Sequence, residues 1–357
     1  MRIGFALSGF HRHDRGAEVA LLAVANALAR GGDEVTVFGS GQPRAGTDYA
    51  FRHIPAIDRG HFERWPAFPP FRDETAWEDA SFAMAFLTRY RPADFDAVMT
   101  CAFPFTHLAL RRPTFGRRPL QVFVTQNGDW PATANRSEYR LFACDGLVCT
   151  NPDFFEHNRE RWISTLIPNG IDPARFGGAD VDRTQFGLPP DRPIILMVSA
   201  LIESKRVCDG IRAVARRPAA HLVVAGDGPL RGKIEQLAAD LLPGRFTRLT
   251  LEAARMPHLY RAADAFLHLS LLESFGNVFV EALASGLPVV GHDTARLRWI
   301  VGEGEPLCDT EDDDALDAAL GTALARGRGT ADARVERFAW SGIAAEYRRF
   351  IASLEAR

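Results

Sequence analysis

Short apolar runs, each followed by a polar loop and then a helical pattern, recur along this chain of 357 residues. Residues 2–7 read as a strand, 8–16 as a loop, 17–30 as a helix and 34–38 as a second strand, which is a βαβ unit. The helix carries Val19, Leu22, Ala25 or Asn26, and Ala29 at three-to-four spacing, and Gly31-Gly32 stops it. Further apolar runs at 97–102, 120–125 and 146–150 continue the rhythm. Alternation of this kind predicts α/β architecture, a parallel sheet with helices on both faces. The Pro-, Gly- and Asn-rich stretch from Ile167 to Gly178 breaks the series and reads as an interdomain hinge. A second series follows, with strands expected at 194–198, 221–225, 248–251, 265–269 and 288–291. Near the end, Ile343, Tyr347, Phe350, Ile351 and Leu354 fall on one helical face. The predicted organisation is therefore a first domain over 1–168, a second over 169–340, and a final helix over 341–357.

Composition narrows the function classes. A hydrophobic content of 46% suffices for two cores, and a net charge of −3 leaves no electrostatic footprint for nucleic acid. No apolar run approaches the roughly 18 residues that a membrane span needs; the longest, 20–29, is interrupted by Asn26. Residues 3–7 are too brief for a signal-peptide core, so a cytoplasmic location is expected. The five cysteines (Cys101, Cys144, Cys149, Cys208, Cys308) are scattered, without a C-x-x-C pair, and read as reduced buried thiols.

The most informative block runs from Leu271 to Val290. It sets Glu273 and Glu281 around a helix start expected at 274–277, with Gly286 and Pro288 closing the helix and Val289-Val290 opening the next strand. Amides at such a helix start attract a diphosphate, through unpaired donors and the positive end of the helix dipole. The two carboxylates can then accept hydrogen bonds from hydroxyls on either side of it. Taken alone, the same pair reads as one capping and one surface glutamate.

The context shifts that balance: Ser274-Phe275-Gly276 between the acids, Ala282-x-x-Ser285-Gly286-x-Pro288-Val289-Val290 after them, and Tyr260-Arg261-Ala262-Ala263-Asp264 before them. The block resembles the Glu-x7-Glu signature of the retaining glycosyltransferases of family 4 (group 1). That resemblance implies a GT-B fold, two Rossmann-like parallel-sheet domains facing each other across a cleft, the first for the acceptor and the second for a nucleotide-sugar donor. It also implies that the final helix crosses back onto the first domain. Matching segments cover most of residues 166–291; the first domain matches more loosely.

Residue by residue, the resemblance implies the following. Ser199 to Arg206 is similar to the family's strand-then-lysine segment, so Lys205 meets the diphosphate, whose amide partners are Phe275, Gly276 and Asn277. Glu281 reads the ribose and Glu273 the transferred sugar, while the uracil or guanine ring lies near Gly226 and Ala254-Arg255-Met256. Where many relatives carry a second clamp, an arginine five positions before the lysine, this chain has Ala200; Arg206 and Arg15 are the candidate replacements. In the first domain's loop, where relatives have a glycine pair near the donor phosphates, Gly16 keeps the second position and Arg15 occupies the first. No Gly-x-Gly-x-x-Gly occurs there, which argues against a nicotinamide or flavin dinucleotide. Asn127, Asp129 and His11 are the candidates on the acceptor or donor-sugar side. His11-x-His13 lacks a third ligand, and neither a metal nor another cofactor is expected.

The function expected is transfer of a hexose from a UDP- or GDP-linked donor to a glycan or lipid-linked acceptor, in synthesis of envelope polysaccharide or lipopolysaccharide. A sugar-nucleotide epimerase or hydrolase on the same fold, and a non-catalytic sugar-nucleotide-binding partner of an envelope assembly, are the alternatives. The aromatic loop 59–72 (Phe62, Trp65, Phe68, Phe71 among prolines) and the run 111–118 with its four arginines are candidates for peripheral contact at the membrane's inner face. Packing of both segments on their own domain is the competing expectation.

Overall fold

The computed structural model describes residues 1–114, 116–179 and 181–356. Its chain divides into two compact units, one of Met1–Gly170 with Trp340–Arg357 and one of Ile171–Ala339. The boundary thus falls after Gly170, two residues beyond the expected one.

Unit 1 contains β1 (Arg2–Ala6), β2 (Glu34–Gly39), β3 (Ala50–His53), β4 (Ala97–Thr100), β5 (Leu120–Val124), β6 (Gly146–Cys149) and β7 (Ser164–Leu166), in the spatial order β3-β2-β1-β4-β5-β6-β7. Unit 2 contains β8 (Ile194–Val198), β9 (His221–Ala225), β10 (Phe246–Leu249), β11 (Ala265–His268) and β12 (Val289–Gly291), in the order β10-β9-β8-β11-β12. Every pairing is parallel.

Successive strand residues point to opposite faces of a sheet, and both faces here are covered. In unit 1, Ile3, Phe5, Val35, Val37, Ala97 and Met99 enter one core while Ala6, Phe38 and Val98 enter the other. In unit 2, Ile194, Leu196, Val223 and Ala225 alternate with Ile195, Met197, Leu222 and Val224 between two cores. That double burial explains why these strands appear in the sequence as continuous apolar runs rather than alternating ones. Strands β3 and β7 escape such a reading because they form the two edges of the seven-stranded sheet. Ala50-Phe51-Arg52-His53 and Ser164-Thr165-Leu166 have no buried position to advertise.

Two helical findings differ from expectation. The first helix (Gly16–Arg30) buries Ala20, Leu21, Val24, Ala25 and Leu28, whereas Val19 is 44% exposed. It packs both on the sheet and along the last helix, Trp340–Glu355, so the buried face is turned by one position and widened. A long helix at Glu74–Arg89, capped by Asp73 accepting from the Ala76 amide at 2.8 Å, was not foreseen. The last helix belongs to unit 1: Ile343, Tyr347, Phe350, Ile351 and Leu354 enter the same core as β1, and Arg348 bonds Asp33 at 2.7 and 2.9 Å.

The aromatic loop packs on its own unit. Trp77, from the unforeseen helix, stacks on Phe71 at 3.8 Å and on Phe62 at 5.9 Å, and meets Trp65 and Phe68 edge-on. The arginine-rich run is also engaged internally. Arg112 donates to the carbonyls of Leu87 and Tyr90, Arg118 makes a two-pronged pair with Asp145, and Arg117 lies 3.5 Å from Glu355. Phe115, within that run, lies outside the described residues. Among the described residues no helix is long and apolar enough to cross a membrane.

Candidate functional site

In unit 2 the chain leaves β8 towards β9 and β10 on one side, then returns to β11 and β12 on the other. The reversal falls between β8 and β11, and at such a point the loops from the strands' C-terminal ends diverge and open a crevice. Lys205 lies in the short turn Glu203–Lys205 that follows β8; Glu273 follows β11. The two side chains meet in an ion pair, Lys205 Nζ on Glu273 Oε1. His268, the last residue of β11 and 3% exposed, places its Nε2 2.8 Å from the same oxygen. An ionised carboxylate only accepts, so this nitrogen carries the proton.

Burial would raise the Glu273 carboxyl, but the hydrogen bond and field of His268, joined by the Lys205 ammonium, outweigh it and hold the group down at about 2. Because its folded pKa lies below its ordinary value of 4.5, the stability that this cluster contributes is complete above that pH and is lost as pH falls through about 2. Glu273→Gln is accordingly expected to flatten acid unfolding in that window, followed by circular dichroism. An unchanged acid profile would show that the cluster carries no net stability.

Glu281 lies on the helix Asn277–Ala284, which starts after β11 with Gly276 in the left-handed region (φ 86°). Its carboxyl is raised by burial, partly countered by a hydrogen bond from Tyr260 Oη to Oε2 at 2.8 Å and by the charge of Arg175. Gly276 is required where it stands: a Cβ would come 2.6 Å from the Phe279 ring. Asn277 is the helix's first residue. Phe275 is 2% exposed, with its ring in the core against Phe338 and Trp299.

The glycines after β9 have a role within the fold itself. A Cβ on Gly226 would come 1.9 Å from the Ser199 carbonyl oxygen, and one on Gly228 would come 2.7 Å from that of Leu201. The bonds Leu201 N to Asp227 O (3.0 Å) and Leu230 N to Leu201 O (3.1 Å) lock the two loops together. Close backbone approach is thus made by the neighbouring lysine-bearing loop, and the glycines hold Lys205's loop in place. Arg206 adopts φ 52°, and its guanidinium donates to Thr310 (Oγ1 and O, both 3.0 Å), the Leu269 carbonyl (3.3 Å) and Asp209 (2.8 Å). It anchors the loop to the end of β11. Ala200 is exposed. Arg255 lies over the Phe186 ring at 5.0 Å.

The unit 1 candidates have separate surroundings. His11 is 6% exposed, stacks on Phe51 at 3.9 Å, and has both ring nitrogens engaged, with the Gln42 carbonyl at 3.0 Å and Tyr49 Oη at 2.8 Å. Asp129 turns to the helix Pro152–Asn158, where it meets His157 (3.1 Å) and Asn158 (3.0 Å). Asn127 is exposed, with its amide 3.9 Å from Cys101 Sγ. Arg15 and Gly16 are exposed at the start of the first helix.

Residues 15–175 match the family model Glycosyltransferase Family 4, and residues 179–336 match Glycosyl transferases group 1. The chain belongs to these glycosyltransferases and has their GT-B fold. The lipopolysaccharide core biosynthesis glycosyltransferase LpsE of Rhizobium meliloti is 32% identical over 190 residues, 51% of this chain and 53% of the relative, so the chain spans about half of that protein's length in the match. Among solved structures, sucrose-phosphate synthase from Thermosynechococcus elongatus aligns with TM-score 0.80 at 21% identity, covering 99% of both chains. Anabaena HepE in complex with UDP-glucose aligns with TM-score 0.74 at 18% identity, covering 99% of this chain and 100% of that one. At these identities the solved structures speak for the fold.

Sequence reasoning passed over two side chains that now stand at the site. His268 left a signal, a polar residue closing a fully buried strand. Tyr260 left only its place in a motif.

Proposed function

We propose that this chain is a retaining hexosyltransferase that moves a sugar from a UDP- or GDP-linked donor to a glycan or lipid-linked acceptor, in the cytoplasm or at the inner face of the membrane. The carrying observation is the joining of Lys205, Glu273 and His268 at the strand reversal of unit 2. Breaking the bond from the sugar's anomeric carbon to the diphosphate leaves negative charge on the departing oxygen. A preorganised cation there lowers the barrier, and Lys205 is that cation. Glu273, ionised across the physiological range, holds the ammonium in place and offers its second oxygen to the sugar's hydroxyls. Glu281 accepts from the ribose.

Retention fits a front-side path. The acceptor oxygen bonds to the anomeric carbon on the side the diphosphate leaves, and its proton passes to a phosphate oxygen of the leaving group, so no side chain is needed as base. The reaction is proposed to need no metal, with transfer surviving EDTA. Supporting the donor class, HepE was solved with UDP-glucose; supporting the setting, LpsE is named for lipopolysaccharide core synthesis.

A thermal-shift screen over UDP- and GDP-sugars tests the donor. Ligand at 100 times its Kd stabilises a native protein by about 2.7 kcal/mol, which for a unit of this size raises the midpoint by about 5–10 °C. A rise with one nucleotide family and not the other identifies the base, and no rise with either overturns the proposal. Free sugar or an epimer from donor alone would instead identify a hydrolase or epimerase, and tight donor binding without turnover against any acceptor extract a silent binding partner.

A further inference from the structure

Tyr260 is 0% exposed, the largest kind of polar side chain to be so deeply placed in unit 2. Its ring meets Phe176 edge-on at 5.7 Å and Phe266 at 5.8 Å, which is ordinary core packing that a phenylalanine would satisfy equally. The hydroxyl is what needs a reason, because a buried phenol without a partner costs stability. Its partner is Glu281 Oε2, at 2.8 Å. Burial, with the adjoining carboxylate, keeps the phenol protonated far above neutral pH, so it is a permanent donor to that one oxygen.

We infer that Tyr260 is a positioning residue for donor recognition: by holding Oε2 of Glu281, it fixes the carboxylate's rotation so that Oε1 alone is presented to the hydroxyls of a nucleotide ribose. The inference rests on the donor site proposed above and extends it to a residue that touches no ligand. A carboxylate on a helix has a terminal torsion that is broad and two-fold, so an unanchored Glu281 would divide its time between orientations and lose part of each hydrogen bond's directionality. The anchor comes from a different element, the helix Met256–Arg261, which is itself held in the core through Leu259 and Tyr260. Arg175, whose charge also acts on Glu281, is exposed and bonded to the Ala253 carbonyl at 3.3 Å, and so supplies field rather than a fixed contact.

The test is calorimetric binding of UDP and GDP and of their 2′,3′-dideoxy counterparts to the full chain. In the wild type, removing the ribose hydroxyls is expected to weaken binding by about 10-fold or more, the loss of a hydrogen bond to a charged group. Tyr260→Phe is expected to keep the fold and bind the dideoxy nucleotide as before, while the ribose preference shrinks to about 3-fold or less. Glu281→Ala should abolish the preference, and adding Tyr260→Phe to it should change the ratio no further. A full ribose preference in Tyr260→Phe overturns the inference. So does a wild type that binds UDP or GDP without preferring the ribose, which leaves the donor site standing. A wild type that binds neither nucleotide overturns the donor site and this inference together.

Discussion

Lys205→Ala is expected to lower sugar transfer by at least about 100-fold, the loss seen when one preorganised charge-stabilising donor is removed from a reacting centre. Its melting midpoint should scarcely move. The Lys205 side chain is 20% exposed, the carboxylate it leaves behind keeps the His268 hydrogen bond, and partly exposed ion pairs contribute about 1 kcal/mol or less. Initial rates with donor and an acceptor extract, beside a calorimetric melt, give both numbers; wild-type turnover in this variant would end the mechanism. Glu281→Ala is also expected to abolish transfer, but it is the less clean experiment. Removing Glu281 strands the Tyr260 hydroxyl in the core, a cost of about 1–3 kcal/mol. A lower midpoint is therefore expected for Glu281→Ala and not for Lys205→Ala.

Gly226→Ala should give the largest loss of stability. The new methyl carbon would lie 1.9 Å from a backbone oxygen, that of Ser199, which cannot swing aside as a flexible side chain can. One of the two interlocked loops must move, and such overpacking costs about 1–3 kcal/mol or more. The midpoint should fall by about 2–12 °C for a unit of this size. Transfer should fall with it even below the melt, because the displaced loop is the one that carries Lys205. Gly232→Ala is the control: a Cβ there meets nothing within 4 Å, and the position lies in the helix Arg231–Leu241. Alanine should stabilise that helix by up to about 1 kcal/mol. Equal midpoints for the two variants would show that the loops are not locked as the geometry indicates.

The architecture was legible because parallel strands buried on both faces have to be apolar along their whole length. Strands β8 and β9 were placed to the residue for that reason, while β10, with every residue only half-buried, slipped by two positions. The edges β3 and β7 and the helix Glu74–Arg89 were not legible, since partial burial leaves a weak pattern. At the site, the identities of Lys205, Glu273 and Glu281 followed from a motif, and their attachment to the ends of β8 and β11 followed from where those strands stop.

By itself, then, the amino-acid order determined the fold class, the two-part division and the three ionisable residues of the candidate site, because local periodicity, turn residues and short motifs are properties of neighbours along the chain. Only the tertiary structure decided that Lys205 and Glu273 are partners, that His268 and Tyr260 each hold one acid, that Gly226 and Arg206 brace the lysine's loop, and that His11 bonds Tyr49 while Asp129 bonds Asn158. Those contacts join residues up to 104 positions apart, and no local pattern encodes a hydrogen bond between elements brought together only when the sheet forms.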